Sequence, residues 1–236
     1  MEPVSTRASV DPVGVLIAAA GLGERAGPGG PKQFRLVAGV PLLLRSIRPF
    51  ASHPAVTDIV VALAREHALR PPDWLAGLTG DRLRVVEGGA VRSGSVRAAL
   101  NALDRRCTIV LVHDAARPLV SRTTIDAVIA VAREGVGAVP AVALRDTVKR
   151  ADGAELRVTE TVDRGNLWRA QTPQGFPRAM LEEGFRRAGA NLARFTDESA
   201  LVEATGAIVR LVPDDETNLK VTTAADFRLA EALLDR

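Results

Sequence analysis

Short apolar runs recur along the chain, separated by longer stretches that mix apolar and polar residues. Runs of strand length without alternation are typical of strands buried on both faces, as in a parallel sheet. They lie at residues 13–19, 59–63, 83–86, 108–112 and 138–142. Segments with helical spacing lie between them, at residues 41–51, 95–103 and 123–133. This alternation predicts an α/β fold with a Rossmann-like, mostly parallel sheet flanked by helices, and ligands at the carboxyl ends of the strands.

The pattern changes after residue 142. The stretch "DTVKRADGAELRVTETVDR", residues 146–164, alternates apolar with polar residues around Asp152 and Gly153. Alternation on both sides of an Asp-Gly pair predicts a β-hairpin, here an arm that projects from the sheet. Helical patterns return at residues 177–188 and 198–204, followed by a strand at 207–212 and a last helix. Thr223 and Asp226 have the spacing of a capping box for that helix.

Length and composition favour one main domain. The chain has 236 residues, of which 47% are hydrophobic, enough for one sizeable core. Residues 1–12 are mixed polar with two prolines, so we expect a flexible tail there. We expect a single domain over residues 13–236, with the β-arm at about 145–167.

Charge and cysteine content exclude several classes of protein. The net charge is only +3, without runs of like charge, and aromatic residues make up 3% of the chain, so we expect no nucleic-acid partner. No apolar run approaches the ~20 residues of a membrane helix, and we expect no membrane association. The lone Cys107 lies in an apolar run and is expected to be buried. A reducing, cytoplasmic setting fits these features.

The stretch "AAAGLGERAGPGGPKQF", residues 18–34, follows the first predicted strand and is rich in glycine. It matches the dinucleotide-binding fingerprint only formally, and Lys32 is followed by Gln33 where a Walker A loop needs Ser or Thr. Bare backbone amides can approach phosphate oxygens closely, and Arg25 and Lys32 supply positive charge at the same place. The stretch therefore suits a triphosphate, with a flexible surface loop as the alternative.

Two further motifs follow predicted strands. "LVHDAARP" places His113, Asp114 and Arg117 at the sheet edge where ligands collect. Asp114 is suited to orient a hydroxyl or assist a metal-bound phosphate, and Arg117 to bind a second anion. "EGGAVRSGSV" carries Gly89, and we expect Ser95 to open a helix whose amino end faces a nucleotide. A solvated turn remains the alternative for the first motif.

Taken together, these motifs resemble those of the 2-C-methyl-D-erythritol 4-phosphate cytidylyltransferases of the non-mevalonate isoprenoid pathway. Four further stretches share this resemblance: "RDTVKR", "TVDRGNLWRAQTPQGF", "TDESALVE" and "NLKVTT". Together with the earlier motifs they follow the order of the family, from about residue 13 to the C-terminus. The resemblance implies transfer of CMP from CTP to 2-C-methyl-D-erythritol 4-phosphate, with release of pyrophosphate. It also implies Mg²⁺ or another divalent cation, held mainly by the CTP phosphates, and a homodimer joined through the β-arm.

The resemblance also assigns residues to roles. The implied catalytic residues are Arg25, Lys32, Asp114 and Lys220. The implied nucleotide-binding residues are Ala19, Ala20, Gly21, Gly23, Lys32, Gly89, Ser95, Asp114, Ala115 and Lys220. The implied residues for the second substrate are Asp114, Arg117, Thr147, Arg164, Thr172, Thr196 and Lys220, with Arg164 reaching into the neighbouring subunit. Ala90 stands where relatives often have an acid, which weakens the expectation of strict cytosine choice.

Two alternatives remain open at this point. A cytidylyltransferase for another alditol phosphate, such as ribitol 5-phosphate, would share the nucleotide loop and much of the second site. A catalytically silent nucleotide-binding protein would share the fold, but its expected sign is the loss of Arg25, Lys32 or Lys220, and all three are present.

Overall fold

The computed structural model describes residues 11–21 and 30–234. The strands are β1 (Val13–Ala19), β2 (Leu36–Val37), β3 (Val40–Pro41), β4 (Val56–Leu63), β5 (Leu83–Glu87), β6 (Ile109–Asp114), β7 (Gly137–Ala143), β8 (Val148–Ala151), β9 (Val158–Val162), β10 (Trp168–Ala170), β11 (Gln174–Pro177) and β12 (Val209–Pro213). The α-helices are α1 (Leu42–Ala51), α2 (Arg65–Leu69), α3 (Asp73–Ala76), α4 (Arg92–Ala102), α5 (Arg122–Arg133), α6 (Arg178–Ala188), α7 (Glu198–Glu203) and α8 (Ala224–Leu234).

One mixed, mostly parallel sheet organises these elements. β1 lies between β4 and β6 and is parallel to both, and β5 extends the sheet beyond β4 in the same direction. β11 runs antiparallel between β6 and β7, β10 pairs antiparallel with β7, and β12 pairs parallel with β7. The carboxyl ends of β1, β4, β5 and β6 therefore meet at one edge of the sheet. The expected α/β class is confirmed.

The core consists of two apolar layers, one on each face of the sheet. Alternate strand residues such as Val15 and Val61 face α1 and α5, while their neighbours such as Leu16 and Val60 face α4 and α6. Burial on both faces explains why these strands appear in the sequence as continuous apolar runs.

The predicted strands are all present, and β4 begins earlier than expected, at Val56. The helix predicted at residues 95–103 begins instead at Arg92, so Ser95 lies inside its first turns. The capping box of α8 is confirmed, because Asp226 accepts from the backbone N–H of Thr223 at 2.7 Å and the Thr223 hydroxyl accepts from the N–H of Asp226 at 3.3 Å. No helix in the two described ranges combines the length and hydropathy needed to cross a bilayer.

Local sequence patterns contain no signal for β10 and β11. Their residues, "WRA" and "QGFP", are too few to display a period, and proline ends the second strand. Antiparallel pairing with β6 and β7 specifies them instead. Gly175 allows this pairing, because a Cβ there would lie 2.5 Å from Cγ1 of Val128 on α5.

The predicted β-hairpin is present as a separate two-stranded sheet formed by β8 and β9. Its turn is longer than the expected Asp-Gly pair: Oδ1 of Asp152 accepts from the backbone N–H groups of Glu155 at 2.8 Å and Arg157 at 3.3 Å. Leu156 and Val158 are exposed here, at 79% and 56%. An exposed hairpin with apolar side chains is a surface suited to another protein chain. Residues 1–10 lie outside the described ranges, and the division into a tail and one domain stays a prediction.

Candidate active site

A cavity of about 580 Å³ opens at the carboxyl ends of the parallel strands. The ends of β1 and β6 form part of its wall, the turn after β5 forms another part, and the segment before α8 closes it. Its lining residues are Ala18, Ala19, Ala20, Gly21, Lys32, Gln33, Leu42, Gly89, Ala90, Val91, Arg92, Ser95, Asp114, Ala115, Ala116, Lys220 and Thr222. This is the sheet edge at which the sequence predicted a ligand site.

The structure brings most of the expected nucleotide-binding residues into this lining. They are Ala19, Ala20, Gly21, Lys32, Gly89, Ser95, Asp114, Ala115 and Lys220. Gly23 and Arg25 lie outside the described residues. The expected second-substrate residues Arg117, Thr147, Arg164, Thr172 and Thr196 do not line the cavity. Their predicted contacts with substrate stay predictions.

The turn after β5 offers bare backbone to the cavity. A Cβ on Gly89 would lie 2.8 Å from the backbone carbon of Gly94, so the turn accepts no side chain there. The hydroxyl of Ser95 accepts from the backbone N–H of Gly89 at 3.1 Å and lies 3.3 Å from the carbonyl of Val91. Ser95 therefore closes this turn from within α4, a different position from the helix start that the sequence predicted.

Two neighbouring side chains connect the described end of the glycine-rich stretch to the cavity wall. The amide of Gln33, which is 5% exposed, donates to the carbonyl of Ala19 at 2.9 Å. The ammonium of Lys32 donates to the carbonyl of Val221 at 2.8 Å. Lys32 is thereby held beside the segment that carries Lys220, and both residues line the same cavity.

Asp114 is the centre of a charge network. Its Oδ1 accepts from Nε of Arg92 at 2.9 Å, and its Oδ2 accepts from Nζ of Lys220 at 2.7 Å. Nη1 of Arg92 also donates to Oε2 of Glu198 at 2.5 Å. Burial opposes ionisation of Asp114, but attraction to Arg92 and then to Lys220 outweighs it and lowers the pKa of this carboxyl below its usual range. Asp114 is therefore a carboxylate at neutral pH.

His113, next to this network, is fully buried and has a structural role. Its Nε2 lies 3.0 Å from the carbonyl of Arg117, and its Nδ1 lies 3.0 Å from the hydroxyl of Thr172, which accepts from the backbone N–H of Asp114 at 3.1 Å. One tautomer satisfies every contact: Nε2–H donates to Arg117, and the Thr172 hydroxyl donates to Nδ1. Burial lowers the pKa of His113 to about 4, so the ring is neutral.

Arg117 is buried outside the cavity lining and contacts backbone carbonyls. Its Nη1 donates to the carbonyl of Asn218 at 2.5 Å and its Nη2 to that of Ala170 at 3.4 Å, while its Nε has no partner within the described ranges. Burial lowers the pKa of this guanidinium. The side chain of Asn218 donates to the carbonyl of Thr172 at 3.0 Å. Arg117 and Asn218 thus fix the segment that leads to Lys220.

The remaining predicted residues are exposed on the periphery. Thr147 precedes β8, Arg164 follows β9, and Thr196 precedes the residue that caps α7. Arg164 is exposed, and its predicted contact with a neighbouring subunit stays a prediction.

Sequence reasoning missed Arg92 and Glu198 as members of the site. Arg92 lies in "GGAVRSGSV", directly after the glycine turn. Its nearness to Gly89 in the sequence could have indicated that it belongs to the site. Glu198 had no such signal, because the contact between it and Arg92 joins residues far apart in the chain. The part of the chain that the structure describes contains no group of three or more His, Cys, Asp and Glu side chains placed to hold a metal ion.

A family model for 2-C-methyl-D-erythritol 4-phosphate cytidylyltransferase matches residues 13–236, nearly the whole chain. The chain belongs to this family. The enzyme of that name from Symbiobacterium thermophilum is 44% identical over 224 residues, covering 95% of this chain and 93% of the relative. The bifunctional enzyme IspD/IspF of Anaeromyxobacter dehalogenans is 46% identical over 222 residues, and this chain spans 56% of its length.

Solved structures of the family share the fold. The crystal structure of 2-C-methyl-D-erythritol 4-phosphate cytidylyltransferase from Thermus thermophilus is 35% identical in sequence, with a TM-score of 0.79. The likeness covers 95% of this chain and 100% of that one. The mostly parallel sheet with flanking helices is therefore the fold of the family.

We predict that His113 makes the stability of the protein depend on pH. The folded state resists protonation of His113 down to about pH 4, whereas an unfolded histidine takes up a proton near pH 6.5. The free energy of unfolding should therefore fall as the pH drops from about 6.5 to 4, by up to about 3 kcal/mol from this residue. Urea unfolding of the wild type and of His113→Asn across this range measures the difference in slope.

His67 provides the matched control, because it is partly exposed and contacts Phe34 at a ring-centroid distance of 4.8 Å, outside this network. His67→Asn should keep the wild-type pH slope. An identical slope in His113→Asn and the wild type would contradict the assignment.

Proposed function

We propose that the protein transfers CMP from CTP to 2-C-methyl-D-erythritol 4-phosphate, giving 4-diphosphocytidyl-2-C-methyl-D-erythritol and pyrophosphate. Family membership supports the reaction. The observation that carries it is a cavity in which Lys32 and Lys220 lie with the bare backbone of Gly21 and Gly89. Cations and unobstructed amides on one wall suit a triphosphate.

The chemistry follows from charge. An oxygen of the alditol phosphate attacks the α-phosphorus of CTP in line, the bond to the bridging oxygen breaks, and pyrophosphate leaves with its electron pair. A phosphate monoester is largely dianionic near neutral pH, so this nucleophile needs no general base. Neutral, buried His113 is consistent with that requirement. The obstacle is repulsion between two anions, and fixed cations lower it in the transition state.

We assign the nucleotide to the part of the cavity formed by the end of β1 and the turn after β5. In this proposal the backbone of Ala19, Ala20 and Gly21 and the turn at Gly89 and Ser95 hold the cytidine. Asp114 and Ala115 approach the ribose and α-phosphate, and Lys32 and Lys220 flank the phosphates. Gly23 and Arg25, beyond the described residues, would complete the phosphate loop.

Mg²⁺ would enter on the CTP phosphates. Both oxygens of Asp114 are already paired with Arg92 and Lys220, so the described residues fit an ion held mainly by phosphate oxygens and water. The ion would offset the charge of the triphosphate when bound. The protein's own cations supply the rest of the positive charge.

The second substrate is assigned to the part of the cavity at Asp114 and Lys220, two of the residues predicted to contact it. Arg117, Thr147, Thr172 and Thr196 are the other proposed contacts, and Arg164 is proposed to act across a homodimer joined through the arm. The exposed arm surface supports this assembly. A cytoplasmic location is part of the proposal, and the lone, buried Cys107 favours it.

The reaction is tested with phosphorus NMR on the purified chain, CTP, Mg²⁺ and either 2-C-methyl-D-erythritol 4-phosphate or ribitol 5-phosphate. We expect signals of a CDP-diester and pyrophosphate with the first substrate and at least tenfold slower turnover with the second. Faster turnover of ribitol 5-phosphate would favour the alternative alditol substrate. CTP binding without turnover of either would favour a silent nucleotide-binding protein.

Lys32→Ala should keep the fold and lose catalysis. Removing one preorganised cation costs about 3 kcal/mol of transition-state stabilisation, so turnover should fall on the order of a hundredfold or more. Pyrophosphate release at saturating substrates measures it. Arg105→Ala removes an exposed cation elsewhere and should keep wild-type turnover; near-wild-type turnover in Lys32→Ala would refute the role.

Mixing inactive variants tests whether Arg164 serves the neighbouring subunit. If it does, a mixed dimer of Arg164→Ala and Lys32→Ala contains one site with both residues intact. Random exchange of equal amounts should then restore about a quarter of wild-type activity. If Arg164 acts in its own subunit, every site in the mixture lacks one residue and no activity returns. Sedimentation analysis of each variant verifies that dimers form.

A further inference from the structure

Glu198, the first residue of α7, is a carboxylate without solvent contact. Its exposure is 0%, its Oε2 accepts from Nη1 of Arg92 at 2.5 Å, and its Oε1 has no hydrogen-bond partner among the described residues. Burial raises the pKa of Glu198, whereas the 2.5 Å contact with the Arg92 guanidinium favours the ionised form on which the pairing depends. Stability gives little reason for such a group, because a buried ion pair is often no better than apolar residues of similar size.

Arg92 connects this carboxylate to the cavity. Two different nitrogens of its guanidinium bind two different carboxylates, Nε that of Asp114 and Nη1 that of Glu198. Its side chain is 27% exposed, yet its charge is already engaged twice. Burial opposes that charge, but attraction to Asp114 and Glu198 outweighs it and raises the pKa of Arg92. Arg92 is thus better suited to orient Asp114 than to neutralise phosphate.

The sharing of Asp114 depends on the balance of charges. Asp114 divides its oxygens between Arg92 and Lys220, and Glu198 supplies the second negative charge that Arg92 faces. A guanidinium with a single carboxylate favours bidentate pairing. Without the charge of Glu198, Arg92 would compete for the Asp114 oxygen that now holds Lys220.

The surroundings keep Glu198 in place. Asp197 caps α7 by accepting from the backbone N–H of Ala200 at 3.0 Å, and the amide of Gln174 on β11 donates to Asp197 at 2.8 Å. The same Gln174 accepts from the backbone N–H of Ser199 at 3.0 Å. The backbone on both sides of Glu198 is therefore fixed to the central sheet, two residues from Thr196.

We propose that Glu198 is a positioning residue for the transfer reaction: through Arg92 it keeps Asp114 shared between Arg92 and Lys220, and so holds the Lys220 ammonium at the cavity. The inference rests on the proposed function. Glu198 touches neither substrate in this role. It acts on the reaction by the placement of Lys220.

Glu198→Gln tests this directly, because it keeps the size of the side chain and one oxygen acceptor for Arg92, removes the charge and places an NH₂ group where one carboxylate oxygen stood. We expect kcat to fall about tenfold or more, since small displacements of catalytic groups have effects of that size. The midpoint of thermal unfolding should stay close to that of the wild type. The dissociation constant for CTP should rise by a smaller factor than kcat falls, because backbone groups hold the cytidine and Lys220 flanks only the phosphates. Glu203→Gln, an exposed change on the same helix, should leave all three unchanged.

Arg92→Lys is the second variant, and it retains the positive charge but cannot bridge two carboxylates. It should lose about as much kcat as Glu198→Gln. The kcat of the double variant should be only slightly lower than that of the less active single variant, because both changes break the same contact between Glu198 and Arg92. If Glu198→Gln fails to fold, Arg92→Lys still decides, since normal kcat in it overturns the proposal.

Three other results would overturn it. The first is wild-type kcat in Glu198→Gln, and the second is multiplication of the two kcat losses in the double variant. The third is a kcat loss that appears only with loss of thermal stability and CTP binding, which would indicate a purely structural role. The wild type is assayed alongside: no product from it counts against the proposed function as well, whereas equal rates in the wild type and Glu198→Gln count against this inference alone.

Discussion

Repulsion between two phosphate-bearing substrates is the constraint on which the proposed chemistry depends. The carboxylate of Asp114 addresses it indirectly, because it fixes the positions of two cations. One carboxylate holds Arg92 on one oxygen and Lys220 on the other, at the edge of the sheet where β6 ends. Cations that are fixed in advance stabilise a developing charge without reorganising during the reaction. The same contacts that orient the two cations also lower the pKa of Asp114 and keep its carboxyl group ionised.

Hydrogen bonds from backbone groups and buried polar side chains fix the segments on which Asp114 and Lys220 lie. Thr172 and His113 fix the residues on either side of the end of β6, and Asn218 holds the segment that delivers Lys220. These groups are neutral or bonded to carbonyls, so they add rigidity without adding charge to the cavity. The turn at Gly89 has no side chain at the point where the proposed nucleotide approaches the backbone, so its amide is accessible there.

Local patterns predicted much of the fold, and their failures have physical causes. The central strands were predictable because burial on both faces demands continuous apolar residues. β11 was not, since its four residues owe their conformation to pairing with β6. α4 begins at Arg92, earlier than predicted, and the Ser95 hydroxyl inside it accepts from the glycine turn instead of capping the helix. The hairpin was predictable as an alternating segment, but its turn was not, since Asp152 organises a longer loop through its own carboxylate.

The sequence by itself determined the kind of chemistry: glycine-rich backbone with cations after one buried strand, and Asp114 after another. Those features are local, because a backbone approach and a strand end are encoded by neighbouring residues. Only the tertiary structure decided which charges pair. Arg92, Asp114, Glu198 and Lys220 come from four separate segments, and no period or spacing relates them. Burial makes pairing necessary for Asp114 and Glu198, because a charge that is removed from water is costly unless an opposite charge lies beside it.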